Sequence, residues 1–509
     1  MPNIFAGKGN FTTSDTEKVL FQNAEVELDS ETLANLYKSY YFLKEFLKDK
    51  IIYGINTGFG PMAQYHINQK DQVQLQYNLI RSHCCGSGAM LPGKAVKAMM
   101  LVRLNSLALG FSGIHPDAVV LLKEMLNREI LPIIFEHGGL GASGDLVQLA
   151  HLALAMIGEG KVIHKGKIKN TAEAFDAENL IPTKVFIREG LAIMNGTACM
   201  TGIGMLNIIH AQQLLKRMVQ ASALLAELVG SFDDPYSQAL NEVKHHTGQN
   251  EIALQIRNII NDSHLIKNRE KLFYTLPEQA GKLLEKVQEQ YSIRCIPQIL
   301  GPILDTLNFA EKVVINELNS VSDNPVIDYE RKNVFHGGNF HGDCVSLEMD
   351  KLKLAIVRLS MVSERQLNFL MNDALNLRFP PFVNLGIKGL NIGLQGAQFT
   401  ATSTVAENMT LSASMYVHSI PSNNENQDIV SMGANAALLT SKVIQNAFEV
   451  LSVEFLALMQ AVDHLKCQDQ LSPDSRQRYK EIRNISPKII QDAVLYPQLE
   501  NICTFLKSN

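Results

Sequence analysis

The sequence predicts a mainly α protein, a bundle of long helices joined to an irregular N-terminal region. Residues 200–229, 303–318, 345–376 and 429–465 are rich in Ala, Leu, Met and Glu, free of proline and sparse in glycine. Apolar residues recur along them at helical spacing, and helices of that length bury their apolar faces by packing on one another. The chain before about Thr197 is instead broken often by glycine, proline and asparagine, which interrupt regular elements. The expected division is therefore residues 1–197 and residues 198–509.

The shorter elements follow in order. "ILPIIFEHGG" (130–139) and "KVIHKGKIK" (161–169) are β-branched runs bounded by turn residues, expected as small strands or loops. "GDLVQLAHLALAMIGEG" (144–160) has helical periodicity and a glycine stop. "GQNEIALQIRNIINDSHLI" (248–266) reads as a shorter helix. "RFPPFVNLGIKGLNIGLQG" (378–396), with paired prolines and four glycines, reads as a loop. There is no internal repeat and no low-complexity segment.

With 509 residues the chain can bury a large core. A net charge of −5 gives no reason to expect nucleic acid or an anionic membrane as partner. No run has the length and apolarity of a transmembrane helix, and "MPNIFAGKGNFTTSDTEKVL" lacks the apolar core of a signal peptide. The seven cysteines are scattered without C-x-x-C spacing, so neither a disulfide framework nor a zinc site is suggested. A cytoplasmic location is expected.

The chemistry concentrates in a few stretches. "HGGLGASGDL" (137–146) sets four glycines around Ala142-Ser143, ahead of a helical run. Locally, Ser143 serves as a helix N-cap with Asp145 near the positive end of the dipole. No Lys-Ser/Thr follows, so it is not a phosphate loop. The same atoms permit a second reading. In a tight bend the Gly144 nitrogen can attack the Ala142 carbonyl carbon, unobstructed by a Cβ. Loss of one water closes a five-membered ring, and loss of the Ser143 hydroxyl gives an exocyclic methylene, a strong electrophile.

"GGLGASGDLVQLAHLALAMIGEG" resembles the signature of the aromatic amino acid ammonia-lyases, whose prosthetic group is methylidene-imidazolone, MIO. The resemblance runs over essentially the whole chain and departs from the commoner pattern at Val147-Gln148, where Ala-Pro is usual. It implies the histidine/phenylalanine ammonia-lyase fold, an N-terminal region bearing MIO made from Ala142, Ser143 and Gly144, and no external cofactor or metal. It also implies a homotetramer whose active sites draw on more than one subunit.

Five further stretches fit it, in the family's order. "YGINTGFGPM" (53–62) is in isolation a glycine-rich loop with a core tyrosine; the resemblance makes Tyr53 the base that removes the substrate's β-proton. An ordinary tyrosine titrates near ~10, so that role needs surroundings that stabilise phenolate. Gly54, Gly58 and Gly60 would let this loop fold over the substrate. Asn195 in "LAIMNGTACM" either caps a helix beginning near Thr197 or hydrogen-bonds the MIO carbonyl, as the resemblance implies. In "VQEQYSIRCIPQILGP", Arg294 needs an anion, a structural carboxylate or a ligand; by family position it clamps the substrate carboxylate, with Tyr291 assisting and Gln288 nearby. Asn324 in "SVSDNPVID" would hold the same carboxylate or cap a turn before Pro325. In "VFHGGNFHGD", His336 and His341 have no established metal-ligand spacing, and Phe340 matches a residue packed near the MIO pocket.

Specificity turns on two stretches. "RSHCCGSG" places Ser82-His83 where the substrate side chain would lie; a histidine there hydrogen-bonds a phenol or helps bind an imidazole, and a phenyl ring would leave it unpaired. "NENQDIVSMG" carries Asn426-Gln427-Asp428, where histidine lyases generally read Gln-Glu-Asp. Gln427 lacks the charge an imidazole would meet. His83 with Gln427 points to elimination of ammonia from L-tyrosine to give trans-4-coumarate. The alternatives are histidine ammonia-lyase, and a phenylalanine ammonia-lyase or aminomutase with the same site.

Overall fold

The computed structural model describes residues 3–274, 283 and 286–508. The fold is mainly α, and its strands are short. Four helices carry most of the length: Ala198–Val229, Ile296–Leu318, Asp343–Met371 and Gly433–Leu465. Among the described residues no helix is long and apolar enough to cross a membrane.

These bounds differ from the sequence expectation in instructive ways. The second helix begins seven residues before Ile303 and holds Pro302 in its interior, a position proline tolerates only with loss of one helical hydrogen bond. The third ends at Met371, because Asn372 leaves helical geometry and its side chain accepts from Leu375 N, starting the short helix Asp373–Asn376. The fourth starts at Gly433 rather than Ile429: Met432 N donates to Leu140 O at 2.9 Å, so this backbone is bonded to a distant turn.

The chain forms two compact units. Met1–Ile209, Ala310–Asp350 and Ser414–Ser441 make the first; His210–Phe309, Lys351–Ala413 and Lys442–Asn509 make the second. The expected cut at 197/198 is thus replaced by a grouping discontinuous in sequence, because segments 310–350 and 414–441 fold with the N-terminal residues.

In the first unit, helix Gly93–Ala108 is buried on every side from Ala95 onward, as suits a helix with apolar residues all round. Helices Gln69–His83, Leu146–Met156 and Glu189–Met194 pack on one another. Lys161–His164 and Lys167–Asn170 form an antiparallel hairpin extended by Leu131–Pro132, and Phe135–His137 pairs with Ser87–Met90. The two runs expected as small strands are therefore strands. In the second unit, helix Thr247–Ile260 packs on Pro473–Ile485. Buried Glu227 accepts from Ser472 N at 2.6 Å, at the start of that second helix.

Candidate active site

The three mutually packed helices of the first unit converge on one place. His83 ends the first of them, the Ala142–Gly144 tripeptide leads into the second, and Asn195 follows the third.

The tripeptide lies in a turn closed by Gly141 N donating to Gly144 O at 3.1 Å. Gly141 and Gly144 have φ of +70° and +71°, the left-handed region glycine enters at no steric cost. A Cβ on Gly144 would sit 2.0 Å from Gly196 O, and one on Gly141 would sit 2.0 Å from Ser431 Oγ. Both positions therefore require glycine, on conformation and on space. Asp145 N donates to Gly196 O at 2.8 Å, and Gly141 O accepts from Gly342 N and Ser431 Oγ, each at 3.0 Å. The turn is fixed by segments far away in sequence.

Neither local capping assignment describes the turn. The residue before helix Leu146–Met156 is Asp145, whose side chain does not cap it. Instead Asp145 Oδ2 accepts from Met200 N at 2.9 Å, in the first turn of Ala198–Val229. Burial pushes the Asp145 carboxyl up to about 7, against the N–H groups of Met200 and Cys199, which favour the charged form. Glu317, also raised by burial, accepts from Thr197 Oγ1 beside it. Asn195 caps no helix N-terminus; it ends Glu189–Met194, and its Nδ2 donates to Ser143 O at 3.2 Å.

Ser143 is thus bracketed by two side-chain amides. Asn195 Nδ2 meets its carbonyl oxygen, and Gln427 Nε2 donates to its hydroxyl Oγ at 2.9 Å. Gln427 is held by a hairpin in which Ser422 N donates to Gln427 O at 3.0 Å and Gln427 N to Ser422 O at 3.2 Å.

A cavity of about 740 Å³ opens beside Ser143. Tyr53, Gly60, His83, Asn195, Asn324, Phe340, Asn426 and Gln427 all line it. Gly60 N donates to Tyr53 Oη at 3.1 Å. His83 Nδ1 lies 3.0 Å from Leu79 O. Ser82 Oγ lies 3.1 Å from the same nitrogen, so Nδ1 is engaged by its own helix. Asn324 Oδ1 accepts from Gly337 N at 2.8 Å, and its own carbonyl accepts from the buried Arg188, which pairs with Asp323 at 3.1 Å.

Gln288, Tyr291 and Arg294 lie in the second unit and line no part of this cavity. The Arg294 guanidinium stacks over the Tyr291 ring at 4.7 Å, its Nε is buried without a hydrogen-bond partner, and Tyr291 is 68% exposed. Gln288 lines a separate cavity of about 330 Å³.

His336 and Asn423 are among the lining residues that the sequence pattern does not reveal. His336, weighed there only as a metal ligand, faces the cavity, whereas His341 turns to Ile429 O at 3.3 Å. Partial burial and the Arg188 guanidinium hold the His336 imidazole below its usual range. Asn423 was not singled out; the polar run "SNNEN" marks a turn and nothing about its direction.

The aromatic amino acid lyase profile matches residues 11–484. A protein named MIO-dependent tyrosine 2,3-aminomutase, from Streptomyces globisporus, is 36% identical over 503 residues, covering 97% of this chain and 93% of that one. A histidine ammonia-lyase of Geobacillus sp. (strain WCH70) is 36% identical over 497 residues, 97% of this chain and 95% of that protein. The crystal structure of tyrosine aminomutase from Streptomyces globisporus superposes with a TM-score of 0.96 at 33% identity, covering 99% and 97% of the two chains. The residues present fit the prosthetic group. Cyclisation keeps the Ser143 carbonyl that Asn195 holds, and the left-handed Gly144 gives its nitrogen the unobstructed approach that ring closure needs. MIO is made from Ala142, Ser143 and Gly144, and the chain belongs to the aromatic amino acid lyase family of carbon–nitrogen lyases.

Proposed function

We propose that the enzyme eliminates ammonia from L-tyrosine to give trans-4-coumarate. The choice of substrate rests on His83 and Gln427 lining the cavity together, polar groups that a phenol can meet and a phenyl ring would leave unpaired. Gln427 is also neutral where an imidazole substrate would favour a carboxylate.

MIO supplies an electrophilic carbon that takes the substrate amine and makes ammonia a better leaving group. The chain's own residues do the rest. Tyr53 Oη, which accepts from Gly60 N, takes the β-proton. Asn195 Nδ2 withdraws electron density from the Ser143 carbonyl. Arg294, with Tyr291 and Gln288, reaches the carboxylate from a neighbouring subunit, and the functional unit is a homotetramer. Asn324, Phe340 and Asn426 shape the cavity around the substrate. Mixing inactive Tyr53→Phe and Arg294→Ala subunits tests this sharing: activity returns if sites form between subunits and stays absent if each chain builds its own.

A second reading, tyrosine 2,3-aminomutase, is favoured by relatives of that name matching nearly the whole chain. In that case ammonia returns to Cβ. One experiment separates the readings: supply L-tyrosine, L-histidine and L-phenylalanine in parallel and quantify products by chromatography. 4-Coumarate as main product supports the lyase, β-tyrosine the aminomutase, and dominant urocanate overturns the substrate assignment.

A further inference from the structure

We propose that Gln427 is a maturation residue, whose side-chain amide drives departure of the Ser143 hydroxyl during formation of MIO. The inference rests on the tripeptide being the source of the ring and extends the reading of the same site, where Gln427 otherwise serves only specificity.

The chemistry has two dehydrations. In the first, the Gly144 N to Ala142 C bond forms, and the Ala142 oxygen leaves as water with the Gly144 and Ser143 amide protons. In the second, Ser143 loses its Cα proton, the Cα–Cβ double bond forms, and the Cβ–Oγ bond breaks, releasing hydroxide that is protonated to water. The second is hard because hydroxide leaves poorly. A donor already placed on that oxygen stabilises the charge it develops. Asn195 cannot serve, since its Nδ2 is on the carbonyl oxygen. Gln427 Nε2 sits on Oγ at 2.9 Å, while its Oε1 accepts from Ser422 Oγ at 3.3 Å, which orients the amide.

The backbone bears a cost for this placement. Asn423, Asn424 and Glu425 follow one another at φ of +52°, +56° and +62°, and non-glycine residues in that region are strained by about 1 kcal/mol or more each. The bent hairpin aims one amide at the oxygen that leaves in the second dehydration. Once Oγ has gone as water, the same N–H is free to face the substrate.

The test needs no substrate. Full-length wild type, Gln427→Leu and Gln427→Glu are purified and followed by intact mass and near-ultraviolet absorbance as they age at several pH values, with circular dichroism to establish folding. Wild type should lack two waters. Gln427→Leu should lack one water, keep the Ser143 hydroxyl, and lose the second about a hundredfold more slowly. Gln427→Glu donates only when protonated, so its second loss should quicken as pH falls. The proposal is overturned by a folded Gln427→Leu that lacks both waters as promptly as wild type or lacks neither, or by a pH-independent Glu variant. A protein short of two waters yet inert towards L-tyrosine would sink the substrate assignment and leave this proposal standing.

Discussion

The turn at 138–145 and the loop at 53–66 both supply the cavity, and they are built on opposite principles. The turn takes its hydrogen bonds from Gly196, Met200, Gly342, Ser431 and Met432, residues far from it in sequence. The loop is bonded largely to itself: Gly58 N to Tyr65 O, Ile67 N to Asn56 O, and Gly60 N to Tyr53 Oη. Met62 and Tyr65 on it are 60% and 70% exposed. The tripeptide, one pole of the site, is fixed by distant segments; Tyr53, the other, opens a loop whose residues Gly54 to Gly58 are buried, with Gly54 O accepting from Gln76 Nε2 at 3.0 Å.

The largest effect should come from the turn. Ser143→Ala removes the hydroxyl whose departure turns Cβ into the methylene; kcat/KM with L-tyrosine should fall by about 10³-fold or more, and the mass should show at most one water lost. Tyr53→Phe breaks the other pole alone. Its kcat should fall by about 10²- to 10⁴-fold, with both waters still missing and the melting temperature unchanged. If Tyr53→Phe instead blocked maturation, the two regions would not be independent.

A smaller effect concerns pH. The folded Asp145 carboxyl titrates at about 7 against an ordinary 3.8, so the fold favours its neutral form. Its contribution to stability is full below about pH 4 and is lost as pH rises through about 7. Asp145→Asn should flatten that part of a melting-temperature profile; an unchanged slope would place the titration elsewhere. The smallest effect lies in the hairpin. Glu425→Gly relieves a left-handed residue, and should raise stability by about 1 kcal/mol, roughly 2 °C in melting temperature for a chain of this size. A lower melting temperature would show that the Glu425 side chain matters more than its φ.

Much of this was legible in the sequence. The tripeptide and its glycines are contiguous, and the long helices declare themselves by periodicity. What stayed hidden depends on distant partners. Asp145 fits the first turn of its own helix on any local pattern, and only the fold shows it bound to Met200. Residues 429–432 continue the helical pattern, yet their backbone pairs with Leu140. His336 and Asn423 face the cavity through turns whose direction no spacing encodes. The grouping of 310–350 and 414–441 with the N-terminal residues has the same origin.

The distant ties of the 138–145 turn also act as an interlock. A methylidene electrophile on an unfinished chain would be a hazard, ready to be captured by any passing thiol or amine. The bend that makes it needs Gly196, Gly342 and Ser431 in place, and the last of these is synthesised nearly three hundred residues after Ser143. The bend at Ser143 thus gathers its full set of hydrogen bonds only once residues as far along as Ser431 have joined it.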